Sequence, residues 1–263
     1  MRTLHVAAQR RVLAMSLLGF TAIVGACSEV TVPNYNSPNV DGLLNKPDAA
    51  TVNTTVLGLL VGSRSVVGTY GQTLGIFGRE MYNLDQADAR FVLSWLLEPL
   101  TPGGFGVDIG WSATYRQILT GQTILDIVDK VPDYSTAQKE GVKGFAKTFI
   151  ALAMVEQLRV RDTFGIVLDV DPTAAKLGPF VTREEGFTRA AALLDEAKVH
   201  LGAAGPSFPF ALTSGFAGFN TPANFLRVNR GLKARLETYR SRWQDALTAL
   251  GESFIATTPA TAA

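Results

Sequence analysis

Ser135-Thr136-Ala137-Gln138-Lys139-Glu140-Gly141-Val142-Lys143-Gly144-Phe145-Ala146-Lys147-Thr148-Phe149-Ile150-Ala151-Leu152-Ala153 is the stretch from which the fold is read. Ser135 and Gln138 have the spacing of a capping box, in which serine hydroxyl and glutamine amide each satisfy one orphan backbone N–H. Val142, Phe145, Phe149, Leu152 and Ala153 then recur at intervals that put them on one broad face. A helix with one apolar face follows. The same grammar repeats downstream. Thr182-x-x-Glu185 opens a second capped helix carrying Phe187, Ala190, Ala191, Leu194, Ala197 and Leu201. Gly202-Ala203-Ala204-Gly205-Pro206 closes it, with glycine expected to take the left-handed turn and proline to block continuation. Two more helices are predicted over 221–240 and 243–254.

Upstream, residues 109–130 predict a helix with Trp111, Tyr115, Ile118, Leu125 and Val128 on one face, interrupted by polar Gln122 and stopped by Pro132. Trp111 and Tyr115 read as core plugs. Residues 48–63 carry the stripe Val52, Val56, Leu59 and Leu60, and a further helix is expected across 74–97 despite Gly75 and Gly78. No alternating strand pattern or flanked hairpin turn accompanies these segments; the lone Asp41-Gly42 has no strands beside it. The fold class is therefore all-α. Helices that each bury one stripe need neighbours, which implies antiparallel pairs in a tetratricopeptide-like array with irregular loops. No clean 34-residue consensus recurs along the chain. Two longer connections, 161–181 and 206–220, interrupt the array. The second holds Phe208, Phe210, Phe216 and Phe219, either as ligand contacts or as rings tucked under the helices.

The N-terminus has a different character. Arg2, Arg10 and Arg11 precede an uncharged apolar run from Val12 to Ala26, shorter than the about 20 residues a spanning helix needs. It ends in Val24-Gly25-Ala26-Cys27, and Cys27 is the only cysteine. This layout resembles a bacterial lipobox, so residues 1–26 are expected to be a lipoprotein signal peptide and Cys27 the lipid attachment site. Residues 27–47, with Pro33 and Pro38 among Asn and Ser, read as an extended leader. Residues 256–263 read as a disordered tail.

Removing the signal takes three arginines and no acid, so a net charge of +1 becomes about −2. That offers no basic footprint for nucleic acid. No cysteine pair exists, and His200 is the one histidine left once His5 departs, so no metal site of His and Cys ligands is expected and no cofactor is implied. A Ser-His-Asp triad would have to pass through His200, whose place near a helix end suits the negative end of the dipole instead. Glu80 with Asp85, or Asp195 with Glu196, are the nominees for carboxylate-pair chemistry, but charges of this kind on helix surfaces are usually solvated. No catalytic residue is assigned, and the chain is expected not to be an enzyme.

Four blocks carry a resemblance. The first is Gly78-Arg79-Glu80-Met81-Tyr82-Asn83-Leu84-Asp85, followed by Trp111-x-x-x-Tyr115-x-x-Ile118. The second is Gly144-x-Ala146-x-x-Phe149-Ile150-Ala151 running into Arg161-Asp162-Thr163-Phe164-Gly165. Thr182-Arg183-Glu184-Glu185-Gly186-Phe187 with Leu194-Asp195-Glu196-Ala197 is the third, and Leu232-Lys233-Ala234-Arg235-Leu236 with Trp243-Gln244-Asp245-Ala246 the fourth. In this order behind a lipobox, the chain resembles SusD/RagB-type nutrient-binding outer-membrane lipoproteins. It departs from them at Ile150, where the family pattern has arginine, and at Leu168, where it has proline. Family members also continue well past the Trp243 helix, which implies a reduced or truncated relative. The resemblance implies a SusD-like α-solenoid core at 48–255, a location on the outer membrane, and capture of a glycan or other oligomeric nutrient for a SusC-like TonB-dependent transporter. The alternative is a helical-repeat scaffold lipoprotein of the cell envelope without a small-molecule ligand. Ligand-binding residues stay unassigned.

Overall fold

A computed structural model describes residues 40–85, 87–108, 110–170 and 178–255. The signal at 1–26, Cys27, the leader up to residue 39 and the tail at 256–263 lie outside the described residues. Among the described residues the chain is mostly helical, with eight α-helices and one two-stranded ribbon.

Helix α1 spans Val40–Asn45, inside the stretch read as an extended leader. Tertiary contact accounts for the difference: Leu43 and Leu44 pack on the core, and Lys130 Nζ donates to the Leu44 carbonyl at 3.0 Å. Helix α2 runs Ala49–Phe77, capped by the Asp48 carboxylate, which accepts from the Thr51 amide at 2.7 Å. It continues well past the expected end at residue 63, because its buried stripe of Val52, Val56, Leu59 and Leu60 resumes as Tyr70, Thr73 and Ile76. By length and composition α2 is long and apolar enough to cross a membrane, yet that stripe is packed inside the protein. The helix expected across 74–97 does not form. Arg79 turns left-handed at φ 58°, and the Glu80 and Met81 amides both return to the Gly75 carbonyl, closing α2. Only the short α3, Arg90–Val92, and a π turn at Leu93–Leu97 follow.

The remaining helices are α4 Trp111–Val128, α5 Thr136–Arg161, α6 Arg183–Ala203, α7 Pro222–Tyr239 and α8 Trp243–Gly251. Both capping boxes are formed, Ser135 with Gln138 and Thr182 with Glu185. The α6 stop works differently from expectation. The chain leaves through Ala204 in an extended conformation, and neither Gly202 nor Gly205 is among the glycines with positive φ.

Side-chain partners fix the packing sense. Between α4 and α5, Thr114 meets Gln157, Gly121 approaches Ile150, and Asp129 pairs with Lys143, so one number rises as the other falls. Gly144 against Leu201, Lys147 with Glu196, and Gly186 against Leu158 do the same for α5 and α6. Lys233 with Ala191 and Arg240 with Glu184 do it for α6 and α7. Helices α4, α5, α6 and α7 are therefore successive antiparallel neighbours. At Gly144 an added Cβ would lie 2.6 Å from Leu201 Cγ, so the absence of a side chain lets α5 and α6 approach closely.

The apolar faces form two clusters. One centres on Phe145, whose ring lies 4.7–5.7 Å from those of Phe149, Phe225, Phe210 and Phe208. Phe208 and Phe210 thus take the tucked-under role rather than the ligand-facing one. The other cluster joins Ile118, Ile150, Met154, Leu158, Ile166, Phe187, Leu194 and Leu236. Strands β1 Ile166–Val167 and β2 Phe180–Val181 pair antiparallel beside it, Ile166 opposite Val181.

Candidate functional site

The end of α5 and the ribbon build an aromatic ledge. The chain leaves α5 at Asp162, a non-glycine residue with φ 43°, and turns again at Gly165, φ 66°. A Cβ at Gly165 would fall 1.8 Å from the Val181 carbonyl oxygen, so only glycine fits. Arg161 Nε donates to the Gly165 carbonyl at 3.1 Å and holds this corner. Backbone strain of this kind at Asp162 persists where surroundings enforce it, and often beside functional surfaces.

The Arg161 guanidinium lies 4.5 Å over the Trp111 ring, 5.4 Å from that of Phe180 and 6.0 Å from that of Phe164. Trp111 and Phe180 are stacked, with centroids 5.8 Å apart and planes 20° from parallel. Phe164 is 76% and Phe180 57% exposed. Tyr115, 4.2 Å from Trp111, pins β1 by accepting from the Val167 amide at 2.7 Å and donating to its carbonyl at 3.1 Å. Burial raises the Tyr115 hydroxyl above its ordinary pKa, so it stays a protonated hydrogen-bonding group. Trp111 and Tyr115 are half-buried, which corrects their reading as core plugs. The buried stripe of α4 is instead Thr114, Gln117, Ile118, Gly121, Ile124 and Val128. Asp162 Oδ1 sits 3.1 Å from Arg183 Nε beside the ledge. The ledge therefore combines exposed ring faces with charged hydrogen-bonding groups, the ingredients for gripping a molecule with alternating apolar faces and hydroxyls.

The carboxylates nominated from sequence are not brought together. Glu80 and Asp85 lie exposed in the loop after α2, where Asp85 accepts from the Ala87 amide at 2.9 Å. Asp195 faces Arg230 at 2.8 Å and Lys233 at 2.6 Å, whereas Glu196 turns to Lys147 and Arg189. Burial opposes ionisation of Asp195, yet hydrogen bonds from Lys233 and Arg230 outweigh it and hold the carboxyl below its ordinary pKa. Arg230, 3% exposed, also donates to the Leu194 carbonyl and to Asn229, whose amide donates to Thr148. This network ties α5, α6 and α7 together.

His200 occupies the last turn of α6, as its reading at a helix end requires, and its Nδ1 lies 2.5 Å from Glu140 Oε2. Burial works against the Glu140 charge, but hydrogen bonds from His200 and Lys143 keep its carboxyl below the usual range. Among the described residues no serine hydroxyl is hydrogen-bonded to His200, and no group of three His, Cys, Asp or Glu side chains is placed to hold a metal ion. Cys27 lies outside the described residues. Sequence reasoning missed the ledge because Phe180 and Phe164 are remote from Trp111 in the chain. The available signal was Arg161 and Phe164 standing beside Gly165 in Arg161-Asp162-Thr163-Phe164-Gly165.

No protein-family model, curated protein or solved structure matches this chain.

Proposed function

We propose that this chain is a surface-exposed outer-membrane lipoprotein of the SusD/RagB type, anchored through Cys27, that captures a glycan or similar oligomeric nutrient and delivers it to a TonB-dependent transporter. The aromatic ledge carries the reading. Stacked Trp111 and Phe180 with exposed Phe164 offer apolar faces to sugar rings, and Arg161, Asp162 and Arg183 stand beside them for hydroxyls. The lipobox and the four ordered sequence blocks support it, and a mostly helical chain with antiparallel helix neighbours is compatible with it. The action is capture without turnover.

A second reading, an envelope scaffold lipoprotein without a small-molecule ligand, draws on the far end of the array. There Trp243, Leu247 and Ile255 are exposed around a groove also lined by Ala246 and Leu250. Apolar surface of this kind suits a protein partner.

The test is recovery of partners from envelope extract with the lipidated full-length chain, beside a Cys27→Ala variant. The nutrient-capture reading expects a TonB-dependent barrel in the eluate, an acylated Cys27 by mass spectrometry, and loss of membrane association in the variant. Recovery of envelope-assembly proteins without a barrel favours the scaffold. Sustained release of reducing ends from a bound glycan overturns the non-enzymatic reading.

A further inference from the structure

Arg161 uses only part of its guanidinium to hold the ledge together. Its Nε is spent on the Gly165 carbonyl at 3.1 Å, and its Cζ lies 4.5 Å from the centroid of the Trp111 ring. The hydrogen bond and the ring contact fix where the group sits. Nη1 and Nη2 are left over. Among the described residues neither donates a hydrogen bond, and no carboxylate stands within ion-pair distance of Arg161. Asp162, next in the chain, turns instead to Arg183 at 3.1 Å. Glu156, earlier in α5, is taken by Arg159 at 2.8 Å and Arg235 at 3.3 Å. Neither Nη belongs to the buried side-chain atoms that lack a partner, so the pair is open to solvent.

A guanidinium held in this way presents two parallel N–H groups, the geometry that a carboxylate accepts bidentately. Arg161 is half-buried among rings, so an ion pair formed there is screened less than one on an open surface. The rings indicate what carries the anion. Phe180 lies 5.4 Å and Phe164 6.0 Å from the guanidinium, and both are largely exposed. Their free faces suit a sugar ring, and a uronate bears its carboxylate directly on such a ring.

We propose that the ledge selects acidic glycans, oligosaccharides whose uronate carboxylate forks onto Nη1 and Nη2 of Arg161 while a sugar ring lies on Phe164 or Phe180. A neutral oligosaccharide would leave a half-buried cation without a counter-ion, and an inorganic anion would leave the exposed rings bare. A uronate oligomer supplies both contacts. The inference rests on the glycan-capture reading of the same ledge and adds the charge class of the ligand.

Calorimetric titration of the lipidated full-length chain in detergent at neutral pH tests this. The probes are galacturonate, mannuronate and guluronate oligomers, each beside its methyl ester, with a neutral and a sulfated galactan fragment as controls. At least one uronate oligomer should bind saturably, with its methyl ester at least tenfold weaker. Its affinity should fall as salt is raised. Arg161→Gln should bring the uronate down to the level of its ester, and Arg161→Lys should restore only part, because a point charge cannot fork. Arg161 also holds the Gly165 corner, so each variant is checked by circular dichroism and thermal melting; the comparison of acid with ester on wild type needs no variant. Neutral galactan or the ester bound as tightly as the uronate would overturn the charge class and leave glycan capture standing. Wild type that binds neither acidic nor neutral fragments would overturn both readings. Tighter binding of the sulfated fragment, or wild-type uronate affinity in a folded Arg161→Gln variant, would overturn the carboxylate fork.

Discussion

Phe145 is the residue on which the first apolar cluster depends, since rings from α5, α7 and the 206–220 connection all converge on it. Phe145→Ala should lower unfolding free energy by about 3–5 kcal/mol, read from urea denaturation. Trp111→Ala should cost less than that, because a half-buried ring exchanges less apolar surface with water. Asp195 is one of the carboxylates that contribute to behaviour in acid. Its carboxyl is held below its unfolded value of about 3.9, so its pairing stabilises the protein above that value and is lost as pH falls through the native value. Asp195→Asn should therefore be less stable than wild type at neutral pH, and the gap should narrow as pH drops below about 4. Denaturation curves at stepped pH check this; a gap that persists at pH 2 would contradict the sign.

Elements were legible where the signal is local. Ser135 with Gln138 and Thr182 with Glu185 have chemistry fixed within three residues, so α5 and α6 start where the sequence places them. Misreadings arose where distant contacts decide. The stripe Val52, Val56, Leu59 and Leu60 set the expected end of α2 at residue 63. The helix runs on past Gly58, Gly62, Gly68 and Gly71, which face open space, because Tyr70, Thr73 and Ile76 are buried further along. In α4 the face judged by its aromatics was rotated from the one actually buried, because Thr114, Gln117 and Gly121 pack inside against α5. Helix spacing gives a direct prediction. Gly144→Val would drive carbon into Leu201 and toward the Ala197 carbonyl, which an added Cβ already meets at 3.1 Å. A loss of about 1–3 kcal/mol or more is expected, whereas Gly62→Ala, facing open space, should be neutral or stabilising by up to about 1 kcal/mol. Thermal melts of the two variants side by side separate these outcomes.

At the scale of the whole molecule, a chain of antiparallel helices carries an exposed aromatic ledge at the end of α5 and an apolar groove along α8. The helical class was readable from periodicity alone, but the ledge was not, since it joins the start of α4 to a ribbon that sequence pattern did not reveal. The claim that matters most is that this ledge grips a glycan. A glycan array probed with the lipidated full-length chain in detergent tests it most directly, with wild type beside the Phe164→Ala/Phe180→Ala double variant. Both rings are largely exposed, so the variant should keep its far-ultraviolet circular dichroism and melting temperature. The account predicts that wild type retains a related set of oligosaccharides and that the double variant binds them at least tenfold more weakly, a change of about 1.4 kcal/mol. An array on which wild type binds nothing, or on which a folded double variant binds as wild type does, would contradict it.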